Sequence, residues 1–231
     1  AGLPRKPGMS RDDLLFKNAE IVNSIVENIV KYAPSSKILI VTNPLDVMTY
    51  LALKRSKFPR NRVFGMAGLL DCARMRSAIA EELKVSTSEV EAIVLGSHGD
   101  LMVPLPRYTT VSGKPITQIL SQEKIDKIVK RTKEGGGEIV NLLKTGSAFY
   151  APAAAAADMI EAVLKNLKTT IPSCAYLAGE YGLKDICIGV PVKLGGIGIE
   201  EIIELELTMD ERIMLQRGAE SIRENIKKLK L

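Results

Sequence analysis

The sequence holds no tryptophan, a single histidine and only three cysteines in 231 residues, and its aromatic content is 4%. Each shortage excludes something. Scarce aromatics argue against a base-stacking nucleic-acid platform. Cys72, Cys174 and Cys187 are odd in number, widely spaced and form no CxxC pair, which points to reduced, buried thiols in a cytoplasmic protein. No apolar run reaches the length of a membrane span. No basic–apolar–small pattern opens the chain, so neither a signal peptide nor a membrane partner is expected. There is no internal repeat and no metal-ligand cluster, and "AAAAAD" is helix-forming alanine, not a linker.

Hydrophobic residues, at 46%, suffice for a real core, and the length permits one large domain or two small ones. The net charge of +5 is scattered, with basic and acidic residues alternating as in "SQEKIDKIVKRTKE". That excess suits a small anionic substrate as well as a nucleic acid and decides little by itself.

The pattern along the chain predicts two regimes. "AGLPRKPGMSRDD" reads as loop, followed by a helix over residues 12–33 that ends before Pro34. "SKILIVTNP" and "NRVFGMA" are short apolar runs of the kind buried on both faces of a parallel sheet. They alternate with helices in "LDVMTYLALKRS" and "LLDCARMRSAIAEELKV". Beyond His98 the pattern changes. "LMVPLPRYTTVSGKPI" predicts antiparallel strands around Ser112-Gly113, and two helices follow near 121–143 and 151–167. "DICIGVPVKLGGIGIEEIIELEL" predicts strands joined at Gly195-Gly196, and a last amphipathic helix starts near 209. The expected fold class is therefore α/β: a parallel-sheet piece over residues 1–67, then an α+β domain with antiparallel strands over 68–231. Two parallel strands leave apolar edges open, so either a longer chain or another chain is expected to complete that sheet.

Four stretches carry groups able to do chemistry. Asp71 and Arg74 stand at i, i+3 on one helix face. Such a pair is ordinarily a surface ion pair of little worth, but a carboxylate can orient an imidazole and a guanidinium can clamp a substrate carboxylate. Arg5 and Arg11 flank a Pro/Gly-bounded segment that is either a solvated loop or a lid closing over an anion. Asn43 ends a buried strand, where open α/β sheets bind ligands, though it also serves as a helix cap. His98 lies in "VLGSHGDLMV" between glycines, which allow backbone and ligand to approach closely; a lone histidine is more often structural.

Taken in order, "RKPGMSR", "VTNPLD", "DCARMR" and "GSHGD" resemble the lactate/malate dehydrogenase family. "AGLPRKPGMSRDDLLFKNAEIV" and "TGSAFYAPAAAAADM" are similar to its lactate-dehydrogenase-like malate dehydrogenases. The likeness extends over essentially the whole chain. It implies a Rossmann-type domain followed by a catalytic domain, and an oxidoreductase interconverting (S)-malate and oxaloacetate with NAD, NADP not being excluded. By matching position, His98 is the proton donor and acceptor, and Asp71 is its carboxylate partner. Arg74 holds the substrate's C1 carboxylate, Arg11 is the lid arginine that polarises the carbonyl, and Arg5 meets the second carboxylate. Asn43 contacts substrate and cofactor. Asn18 and Val41 contact the cofactor, and Gly146 and Ser147 line the pocket. The family also implies a homodimer or homotetramer, with no metal and no nucleic acid. Its amino-terminal strand, GxGxxG loop and ribose-binding acid are not found here. In the strand order 3-2-1-4-5-6, "KILIVT" and "RVFGMA" are the fifth and sixth. The amino-terminal part of the Rossmann domain is therefore expected to be absent and the natural protein longer. A lactate or other 2-hydroxyacid dehydrogenase, an inactive structural subunit and a basic nucleic-acid module are the competing readings.

Overall fold

A computed structural model of the chain describes residues 1–4, 10–144 and 148–229. Helix α1 (Arg11–Tyr32) opens with a reciprocal cap: Asp13 N donates to Ser10 Oγ and Ser10 N donates to Asp13 Oδ2, each at 3.0 Å. Its apolar stripe, Leu15, Ala19, Val22 and Val26, is buried. Next come β1 (Ile38–Ile40), α2 (Leu45–Ser56), β2 (Val63–Gly65) and α3 (Gly68–Leu83). As the sequence predicts, β1 and β2 are parallel.

Short strands β3 (Val90–Glu91), β4 (Val94–Gly96), β5 (Met102–Pro104), β6 (Thr110–Val111) and β7 (Lys114–Pro115) lead to α4 (Gln122–Leu143) and α5 (Tyr150–Leu164). The β6–β7 turn is at Ser112-Gly113, both at positive φ. Strands β8 (Thr169–Ala178), β9 (Lys184–Gly195) and β10 (Gly198–Ile202) precede the last helix, α6 (Met209–Lys228).

Two features depart from the sequence pattern. Helix α5 stops at Leu164, three residues short of the expected 167. Strand β8 is missing from the pattern altogether, because Pro172 interrupts a run that otherwise reads as a strand. Its consequence is large. β8 pairs along its length with β9 and touches β2 at Gly65–Cys174. The parallel pair is thereby continued into one mixed sheet ordered β1-β2-β8-β9-β4-β5, with β10 on β9. The open edge expected beside β2 is closed by the chain itself.

Three connections set up the site. The β1–α2 turn carries Asn43, α3 carries Asp71 and Arg74, and the β4–β5 loop carries His98. Gly96 (φ 90°) and Gly99 (φ 128°) bracket that loop in a backbone region costly for other residues. Beneath it, Leu95 and Val103 join Met48, Leu51 and Phe64 in the main core. On the far side of α3, Met75 and Ile79 pack with Val90, Ile116 and Ile125 in a second cluster. Helix α3 is thus held on both flanks by burial.

Candidate active site

Asp71 is in the first turn of α3 and is 2% exposed. Its two oxygens face different partners. Arg74 Nη1 donates to Oδ1 at 3.0 Å, and His98 Nδ1 lies 2.9 Å from Oδ2. With Nδ1–H turned to the carboxylate, Nε2 is the nitrogen left for a substrate. Burial pulls the His98 pKa down, but the charge and hydrogen bond of Asp71, followed by the charge of Asp46, outweigh it, and the value ends above that of a free imidazole. Asp71 is thus the main group that favours the charged form of the His98 imidazole.

Arg74 lies against α4, where two glycines make room for it. A Cβ at Gly136 would stand 3.4 Å from Arg74 Nη2, and one at Gly135 would stand 3.4 Å from Cδ. The Arg74 Nε is buried and has no partner among the described residues. A guanidinium with unused donors fits a carboxylate ligand.

His98 and Arg74 open into a cavity of about 340 Å³, shared with Val41, Asn43, Asp100 and Lys133. Met66, Leu70 and Pro152 add apolar wall. Of the residues singled out from sequence, His98, Arg74, Asn43 and Val41 thus come together around one space, with Asp71 behind them. Arg11 stands outside the lining; its Nη2 is 3.8 Å from Asp100 Oδ2 in a pair that is almost wholly solvated and so binds weakly. Asn18 is fully buried, and its carboxamide is taken by the chain: Leu3 N donates to Oδ1 at 2.7 Å, and Nδ2 donates to Asn43 O at 2.6 Å and to Leu3 O at 3.3 Å. It reaches the cavity through the backbone of Asn43, which it anchors. Arg5, Gly146 and Ser147 lie outside the described residues.

Two residues at the site were not singled out from sequence. Lys133 is one lysine among several on a charged helix, so nothing in the pattern marks it. Asp46 had a signal, the acid closing "VTNPLD", and it accepts hydrogen bonds from Ser97 Oγ and His98 N. No group of acidic, cysteine or histidine side chains suited to a metal ion occurs among the described residues.

Two family descriptions match: lactate/malate dehydrogenase, NAD binding domain, over residues 1–65, and lactate/malate dehydrogenase, alpha/beta C-terminal domain, over residues 69–230. The chain belongs to the lactate/malate dehydrogenase family. A malate dehydrogenase of Salinibacter ruber is 58% identical over 226 residues, which is 98% of this chain and 72% of the relative. The crystal structure of Cryptosporidium parvum malate dehydrogenase superposes with a TM-score of 0.96 at 45% identity, covering 100% of this chain and 75% of that one. The lactate dehydrogenase of the same organism, complexed with lactic acid and nicotinamide adenine dinucleotide, gives 0.95 at 42% identity over 100% and 74% of the two chains.

These findings correct one expectation. The match of the NAD-binding domain to residues 1–65 does not bear out an absent amino-terminal part; α1, β1, α2 and β2 carry enough of the domain's pattern to be assigned to it. The family is NAD-dependent, and the cavity fits the reacting end of such a cofactor. Val41 is exposed at the carboxyl end of β1, apolar Met66 and Pro152 offer a wall for a flat ring, and the exposed Asn43 can hydrogen-bond a carboxamide.

Proposed function

We propose that this chain is a malate dehydrogenase that interconverts (S)-malate and oxaloacetate. The observation that carries the reading is the arrangement in which one buried carboxylate, Asp71, holds both His98 and Arg74 at a single cavity. Arg74 receives the C1 carboxylate of the substrate in a two-pronged contact. That fixes the reacting carbon next to His98. In the reducing direction, protonated His98 gives its proton to the carbonyl oxygen as charge develops there; in the oxidising direction, neutral His98 takes the proton from the hydroxyl. NAD, when bound, supplies or accepts the hydride. Arg11, which opens α1 beside Asp100, stabilises the oxyanion. Arg5 meets the second carboxylate. Val41 and Asn43 bound the cofactor, and Asn18 acts on it through Asn43.

Residues 1–67 form the cofactor domain and 68–231 the catalytic domain. The three free, buried cysteines support a cytoplasmic enzyme. No helix among the described residues is long and apolar enough to cross a membrane. Exposed Tyr150, Ile160 and Leu164 on α5 support a homo-oligomer.

A lactate dehydrogenase is the second reading, because a solved lactate dehydrogenase shares this fold at a TM-score of 0.95. The deciding experiment compares kcat/KM for oxaloacetate and pyruvate with NADH. A clear preference for oxaloacetate is expected; a preference for pyruvate would assign the chain to the lactate branch.

A further inference from the structure

Asp46 is a buried acid that the relay described above leaves without a task. It sits in the first turn of α2 and is 4% exposed. Its Oδ2 accepts from Ser97 Oγ at 3.1 Å and from the His98 backbone N at 3.0 Å. Its Oδ1 is buried without a hydrogen-bond partner among the described residues. Burying a carboxylate with an oxygen unsatisfied is costly, and a neutral acceptor would hold the same two donors for less. His98 is therefore flanked by two carboxylates, Asp71 on its ring and Asp46 on its backbone. The flanking glycines, Gly96 and Gly99, leave the loop few restraints of its own.

We propose that Asp46 is a positioning residue of the proton relay: it clamps the His98 backbone to α2 and adds a second negative charge that favours the imidazolium. The proposal rests on His98 being the proton carrier. It deepens that reading by dividing the work between two acids. Asp71 orients the ring, while Asp46 fixes where the ring is hung and strengthens the field around it.

The surroundings allow this coupling. Ser97 and His98 of the loop face Asp46, as does the Cys174 thiol of β8, with Cys187 of β9 behind it. Helix α6 contributes neutral Gly218 against Ser97. Facing His98 are Asp71 and Arg74 of α3, and Asp100 of the β4–β5 loop and Lys133 of α4 line the same cavity. Burial pushes the Asp46 carboxyl up from its ordinary value; the hydrogen bond from His98 N–H, the adjacent Cys174 thiol and the His98 charge work against it. The two charges thus support one another across the loop.

The test is Asp46→Asn, which keeps an acceptor for both donors and removes the charge. The 15N titration of the His98 imidazole, assigned by its loss in His98→Asn, should move down by about half a pH unit or more. The alkaline fall of kcat/KM for oxaloacetate should move with it, while KM for NADH stays within about twofold of wild type. Asp46→Ala, which also removes the acceptor, should lose about tenfold more in kcat than Asp46→Asn. A folded Asp46→Asn whose His98 titrates as in wild type would overturn the proposal. Should Asp46→Asn not fold, the 13C carboxyl shift of Asp46 in the wild-type protein decides: ionised wherever His98 is protonated supports the proposal, and protonated throughout that range overturns it. Retained turnover in His98→Asn would instead remove the relay itself.

Discussion

His98 Nδ1 and Asp71 Oδ2 stand 2.9 Å apart, although 27 residues separate them in the chain. Because Asp71 is buried, its charge is poorly screened and is felt mainly by the imidazole and by Arg74. The raised His98 pKa sets the sign of the pH dependence. Oxaloacetate reduction needs the imidazolium, so its kcat/KM should hold at low pH and fall as pH rises through a value above the free-imidazole 6.5. Malate oxidation needs the neutral ring and should rise across the same range. Pre-steady-state or steady-state profiles in both directions check this; a fall in the reductive rate centred below 6.5 would contradict it.

The same shift links to stability. A folded-state pKa raised above the unfolded one contributes stability that is fully present below the unfolded value and is lost as pH rises through the folded value. Thermal unfolding of wild type should therefore lose ground to His98→Asn as pH is raised through that window. Parallel Tm-against-pH curves for the two proteins would show that the pair adds nothing to folding.

Replacing His98 with Asn removes the proton carrier and leaves the cavity lining nearly the same size. Turnover should fall by about 10²- to 10⁴-fold, the range typical of general acid–base catalysis, while NADH binding measured by fluorescence titration should persist. Near-normal kcat would take His98 out of the chemistry.

Arg5 decides between substrates in the proposed reading. Arg5→Gln should lower the ratio of kcat/KM for oxaloacetate over pyruvate by about 10- to 100-fold, the worth of a charged hydrogen bond to the second carboxylate. The ratio is the measurement. If it does not move, specificity resides elsewhere, with Lys133 in the cavity lining the next cation to replace.

Gly68 begins α3 where that helix meets β8. An added Cβ would stand 2.7 Å from Pro172 Cβ and 2.9 Å from its carbonyl carbon. The obstruction is partly backbone and cannot rotate away. Gly68→Ala should cost about 1–3 kcal/mol in denaturant unfolding, and kcat/KM should fall as well, because α3 carries both Asp71 and Arg74. An unchanged unfolding midpoint would mean that α3 and β8 slide apart freely.

Much of this molecule was legible in the order of its residues. The runs around Leu39 and Phe64, the helical spacing of α1 and the Ser112-Gly113 turn are local signals, set by side-chain periodicity and backbone sterics. His98, Asp71 and Arg74 could be singled out because their residue types and surrounding motifs carry recognisable chemistry. Strand β8 could not, since its Pro172 reads as a break until β9 offers a partner in register. Nor could the burial of Asn18 and Asp46, because whether a polar side chain faces solvent or a neighbouring backbone depends on segments distant in sequence. The sequence by itself determined which groups are available and on which elements they ride. Only the tertiary structure decided that Asp71, from the start of one helix, and Asp46, from the start of another, meet at the same histidine. Charges act through space, and the distances between these groups exist only once the mixed sheet has brought the loop and both helices together.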